Sequence, residues 1–227
     1  MRVPRLPVRS VLAAAALALA PCALLADGSP SLSRPQAPAP SLEQQAVDVY
    51  NDGIALRDKA AAYEKEAAAE PDAKKKASLE AKAKDKHLSS IKKFVKATDK
   101  DPRLVEAWGS LGYAYRKTGD FKSSLDAYGK ALELKPTYTP AIEYRAEAYL
   151  GLGRLDDVKA AYMTLFNVDR PRANELSAAI DRWLEQRRTD PAGLEPAAVE
   201  EFGKWAADRK RLAAQTSWAG PPGEPRW

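Results

Sequence analysis

Written out in rows of 34 residues, this chain aligns with itself. Phe94, Tyr128 and Tyr162 share one column, Ala97, Ala131 and Leu165 another, and Pro102 and Pro136 a third. Trp108 falls over Ile142, Tyr115 over Tyr149, Gly119 over Gly153 and Phe121 over Leu155. A period of this length marks an architecture of stacked units, each too small to bury its own apolar stripe and each burying that of its neighbour.

The spacing inside one period gives the unit its shape. Trp108, Leu111, Gly112 and Tyr115 follow one another at steps of three, one and three, which places them on one face of a helix. Gly119-Asp120 supplies a turn. Phe121, Leu125, Tyr128 and Ala131 then form the stripe of a second helix, which Lys135-Pro136 ends, because proline offers no amide hydrogen and disfavours helical geometry in the residue before it. Gly112 lets the second helix come close to the first. Each unit is thus a helix-turn-helix, and the expected fold class is all-α.

Trp108, Leu111-Gly112, Tyr115, Ser124, Tyr128, Ala131 and Pro136 resemble the tetratricopeptide repeat (TPR) family, with Ser for Ala and Tyr for Phe as departures. Residues 105–138 are the closest match. Residues 139–171 resemble the family more loosely, with Ala146 in place of the first-helix glycine and the terminal proline one place late at Pro171. A further unit within residues 41–104 is split. Asn51-Asp52-Gly53 lies in its first helix and Phe94, Ala97 and Pro102 in its second, and the two halves are out of register by 25 residues. The resemblance spans Ala46 to Arg170. It implies a short solenoid of helical hairpins carrying a long basic helical hairpin insertion.

The insertion has its own pattern. Ser41-Leu42-Glu43-Gln44 fits a capping box that opens a helix. From there to Lys100 the strong breakers are Gly53 and Pro71, so two long helices should meet at Glu70-Pro71-Asp72. Residues 59–101 hold twelve lysines and eight acidic residues, with Lys74, Lys75 and Lys76 expected at the tip. Two readings compete for these lysines: a solvated, helix-favouring face, or contact with anionic lipid headgroups or an acidic partner. Beyond Pro171, Ile180, Trp183 and Leu184 suggest one helix, and Val199, Phe202 and Trp205 after Pro196 another. These two, within residues 172–215, should cap the stack with a polar outer side, and residues 216–227 should be a disordered tail.

The N-terminus reads as a targeting segment. Arg2, Arg5 and Arg9 precede the apolar run from Val11 to Ala20, and residues 1–26 fit a secretory signal peptide cleaved after Ala26. The run is shorter than the roughly 20 apolar residues of a membrane span. A lipoprotein reading through Cys22 competes with it, but Pro21 stands where that pattern wants a small residue. Residues 27–40 are too rich in Pro and Ser to pack and read as a linker. Export across an inner membrane to the periplasm is the resulting expectation. Removing the leader also removes three basic residues, so the formal charge falls from +5 to 33 basic against 31 acidic residues, or +2. Nucleic acid therefore loses its compositional support as a partner.

Residues able to carry catalysis are few. His87 is the lone histidine, and Cys22, the lone cysteine, lies in the leader, so neither a Ser-His-Asp triad nor a Cys-ligated metal site can be assembled in the mature chain. No cofactor and no metal are expected. Glu143 and Glu147, four apart on one helix face, could serve a carboxylate-dependent enzyme; the plainer reading is the solvent-lined wall of a groove. In the repeat family the concave groove is lined by first-helix positions, which here are Tyr50, Ile54 and Arg57, then Glu106, Gly109, Tyr113, Arg116 and Lys117, then Glu143, Glu147 and Leu150. Tyr50 and Ile54 stand where some members clamp a peptide carboxylate with Lys and Asn, so that mode of recognition is not implied. The expectation is a non-catalytic binder of a protein or peptide through this groove.

Overall fold

The structure, a computed structural model, describes residues 39–190 and 193–217. The leader, nearly all of the linker and the tail from residue 218 lie outside them. Among the described residues the chain forms helices and no strand: α1 (Leu42–Ala69), α2 (Ala73–Lys100), α3 (Val105–Thr118), α4 (Phe121–Leu134), α5 (Thr139–Gly151), α6 (Leu155–Val168), α7 (Arg170–Thr189) and α8 (Pro196–Ser217). The helices pair in sequence, and the pairs stack into the expected all-α TPR-like solenoid. Helix α8 reaches Ser217, so Thr216 is helical and bonds Arg170 (3.1 Å) where a disordered tail was expected.

What lets the first two pairs close is a glycine facing an aromatic ring. A Cβ added to Gly112 would lie 2.7 Å from the Tyr128 ring, inside any tolerable contact, so α3 and α4 can touch only because that carbon is missing. Gly53 meets Phe94 in the same way, at 2.5 Å. Gly53 and Phe94 are separated by 41 positions, against 16 for Gly112 and Tyr128, and the excess of 25 is the extension carried by α1 and α2. The first pair therefore reproduces the glycine–aromatic contact of the second on longer helices. In the third pair Ala146 takes the glycine's place, fully buried.

Two side chains in the family columns find backbone partners. The Ser124 hydroxyl, in a column that favours alanine, donates to the Gly112 carbonyl across the pair (2.8 Å), and Trp108 Nε1 donates to the Pro102 carbonyl (2.8 Å). At Gly119 α3 ends with φ 88°, and Asp120 caps α4 by accepting from the Ser123 amide (3.1 Å). The capping box on α1 forms only in part. Ser41 accepts from the Gln44 amide (3.2 Å), but the Gln44 side chain turns forward to Asp48 (3.0 Å), and Gln45 takes the Pro40 carbonyl (2.8 Å).

Among the described residues the core falls into a cluster between α1, α2, α3 and α4, built on Tyr50, Ile54, Phe94 and Leu111, a second and larger one from α5 to α8, built on Leu150, Leu165, Leu176, Ile180 and Phe202, and a small third one of Tyr128, Ala131 and Ala141. The second is closed by aromatic rings: Phe202 meets Trp183 edge-on (5.8 Å) and stacks on Trp205 (5.6 Å), which meets Tyr162 edge-on (5.5 Å). Helices α7 and α8 thus bury the apolar faces that the spacing predicts. The long hairpin projects past α3. Lys117, in the last turn of α3, reaches Glu64 (2.9 Å), and beyond that level Ala67 and Ala83 are the buried apolar side chains that hold α1 to α2.

Candidate functional site

The first helices of successive pairs, α1, α3 and α5, together with α7, line a concave face, and on it lies a cavity of about 260 Å³. Arg57, Asp58 and Ala61 come from α1, Gly109, Ser110, Tyr113 and Arg116 from α3, Glu143, Tyr144 and Glu147 from α5, and Glu175 from α7; Tyr138, Pro140 and Ala141 complete it. Of the residues placed in the groove by sequence, Arg57, Gly109, Tyr113, Arg116, Glu143 and Glu147 are brought together here.

Three others belong to the core instead. Tyr50 and Ile54 are completely buried, and Leu150 nearly so (4 % exposed). Tyr50 stacks at a tilt on Phe94 (5.8 Å), and Ile54 packs in the same cluster. Both side chains are enclosed by Ala97 of α2 and Ala107 and Leu111 of α3, while the Tyr138 ring settles over Gly109 (2.8 Å from where a Cβ would be) and fills the floor of the groove. Leu150 is covered because α7 packs on α5, bringing Leu176 and Ile180 into its cluster. Glu106 stands half-buried outside the cavity lining, and Lys117 is committed to Glu64. Lys74, Lys75 and Lys76 are exposed in the first turn of α2, at the hairpin tip as expected.

The two glutamates form no open, solvent-lined wall. Glu143 is 3 % exposed and paired with Arg172 of α7, while Glu147 accepts from Arg116 Nη1 of α3 (2.6 Å). Each carboxylate is held by its own arginine on a different helix, so the pair is not arranged to share a proton or a cation. Arg116 also lies over the rings of Tyr113 (5.2 Å) and Tyr144 (5.4 Å), which meet edge-on (5.3 Å), and Arg57 approaches the Tyr113 ring (5.9 Å). Cation–π attraction and the ion pair together fix the cavity wall before any ligand arrives. Burial pushes the Tyr113 and Tyr144 phenols up from their ordinary range, so both stay neutral hydrogen-bonding groups.

Below this wall sits His87, buried at 1 % exposure. Its Nε2–H donates to Glu64 (3.0 Å), and its ring meets Tyr113 edge-on (6.0 Å). Burial works against charge on Glu64, but the bonds from His87 and Lys117 outweigh it and hold the carboxyl below its usual range. His87 is thus a structural residue that carries the groove wall on the base of the hairpin.

Burial also pushes the Glu143 carboxyl up from its ordinary 4.5 to about 7, against the pull of Arg172. The folded state then binds this proton more tightly than the unfolded chain does, so stability falls as pH rises through that window. Glu143→Gln removes the titration. Between about pH 4 and about pH 8 the wild type is expected to lose on the order of 1–3 kcal/mol relative to the variant, read from urea unfolding at both pH values. Parallel stabilities across that range would show that Arg172 keeps Glu143 ionised throughout.

Sequence reasoning missed Tyr138, Tyr144, Asp58, Ala61, Ser110 and Glu175. Tyr138 sits between helices, where no helical periodicity applies, and Glu175 lies beyond the end of the recognisable repeats. Among the described residues, no three His, Cys, Asp or Glu side chains come together as a metal site, and no helix is long and apolar enough to cross a membrane.

Comparison with known proteins agrees with the geometry. Residues 105–138 match the tetratricopeptide repeat family. The chain is 34 % identical over 70 residues to Superkiller protein 3 of Saccharomyces cerevisiae, a stretch that is 31 % of this chain and 5 % of that protein. It is 35 % identical over 104 residues to Protein FlbA of Caulobacter vibrioides, 41 % of this chain and 16 % of that protein. The chain therefore spans only a small part of the length of these relatives.

Proposed function

From a fold whose residues 105–138 are a tetratricopeptide repeat, a non-catalytic module that mediates protein–protein contact, we propose that this chain is a scaffold of the bacterial cell envelope that binds an extended segment of a partner protein in its concave groove. The observation that carries the reading is the cavity itself: a concavity with tyrosine walls, lined from four helices and held in shape by the Arg116–Glu147 and Arg172–Glu143 pairs. Tyr and Arg are the side chains that most often anchor interfaces, and a preformed wall loses little entropy when a partner binds. Arg57, 6 % exposed, spends one bond on Asp58 (3.2 Å) and keeps further N–H groups for the carbonyls of a bound peptide. The charged n-region and apolar run of residues 1–26 support the envelope assignment.

Site-specific photocrosslinking in cells tests this. A photoreactive residue at Ala61, exposed on the cavity rim, is expected to capture a partner that one at Lys130, exposed on α4, does not. The same adducts from both positions, or adducts from Lys130 alone, would move binding away from the groove.

A further inference from the structure

Lysine is distributed unevenly in this protein. Residues 59–101 contain twelve of its nineteen lysines and no arginine. The body uses arginine for its buried pairs, where a rigid fork suits a fixed partner; the hairpin uses lysine, a mobile and strongly hydrated point charge suited to contacts that are not stereospecific.

The helix geometry arranges these lysines. At about 100° per residue, Lys75, Lys82, Lys86, Lys93 and Lys100 fall within about 20° of one line along α2, a row ~37 Å long. Ile91 and Val95, which pack toward α3, lie on the opposite side of the helix, so the row runs along the free edge of the hairpin, at the end of the stack where no further repeat sits. Across the seam, α1 adds Lys59 and Tyr63 to the same edge, with Lys82 over the Tyr63 ring (5.8 Å). Lys93 pairs with Asp52 (2.9 Å) and Lys100 donates to Gln45 (2.7 Å). Glu70, near the tip, accepts from the Asp72 amide (3.0 Å). Among the described residues, Lys59, Lys75, Lys82 and Lys86 have no carboxylate partner, and all but the half-buried Lys86 are exposed.

We infer that this lysine edge docks the protein on an anionic lipid bilayer, independently of what the groove holds. The complementarity is that of a straight row of lysines, all but Lys93 without a carboxylate partner, with a flat anionic surface, and an aromatic ring set among the charges is at home at headgroup level. A nucleic-acid duplex fits less well, because its phosphates wind around an axis while the row does not. Since the hairpin projects past α3, the edge can lie on a surface without covering the groove.

The test is co-sedimentation of the full chain with vesicles of phosphatidylcholine alone and of phosphatidylcholine mixed with phosphatidylglycerol. Binding is expected only to the anionic vesicles and to weaken as salt is raised. Lys75→Glu/Lys82→Glu/Lys86→Glu should lower it at least about 100-fold, whereas Lys122→Glu/Lys130→Glu/Lys159→Glu, the same charge change on α4 and α6, should lower it far less. Circular dichroism checks that both variants keep their helices. Equal loss in the two variants would reduce the effect to net charge and overturn the inference. So would equal binding to neutral vesicles, or a DNA duplex displacing the vesicles at matched charge.

Discussion

Phe94→Ala is expected to destabilise the whole protein by about 3–5 kcal/mol, as much as Tyr128→Ala. The two rings do the same work in different units. Each is completely buried, each covers a helical glycine at a distance no Cβ would allow, and each lies in the second helix of its pair. Phe94 also tilts against Tyr50 (5.8 Å) and shares a cluster with Ala107, Leu111 and Ala114 of α3, so its loss opens a cavity that reaches into the next repeat. Units of a solenoid are stabilised largely by such interfaces, and the damage should therefore appear as a lower midpoint of the main unfolding transition. Leu79→Ala, half-exposed on the projecting part of α2, is the control and should cost well under about 1.5 kcal/mol. If Phe94→Ala left the main transition in place and lost only a separate early one, α1 and α2 would be an appended hairpin and not a repeat.

That equivalence was legible in the sequence because a period records which residues share a face. Gly53 and Phe94 meet although 25 extra residues separate them, and the shared apolar faces of Trp183, Phe202 and Trp205 followed from spacing in the same way. Depth was another matter. Tyr50 and Ile54 occupy first-helix columns that face a groove in other repeats, yet both are sealed here among Phe94 and Ala97 of α2 and Ala107 and Leu111 of α3. The ion pairs were hidden for a related reason. Arg116 and Glu147 lie 31 positions apart, and Glu143 and Arg172 lie 29 apart, on helices that meet only once the stack has formed. A helical period specifies neighbours within a helix; it does not specify which side chain from the next repeat will fill a gap.

If this protein binds in the cavity on its concave face, filling that cavity should block binding. Ala61 lines it from α1 and is exposed, so a larger side chain at this position meets the cavity and not the core. The indole of Ala61→Trp would take up much of the 260 Å³ and lie where an anchoring side chain of the partner has to go. Losing one anchor of about 2 kcal/mol lowers affinity roughly 30-fold. The measurement is a calorimetric titration of peptides selected from a random display library on the wild-type protein, against wild type and Ala61→Trp, with thermal unfolding recorded for both. Unchanged unfolding and affinity at least about 30-fold weaker in the variant are expected. Equal affinity for the two proteins, or a library that yields no peptide for the wild type, would contradict binding in the cavity.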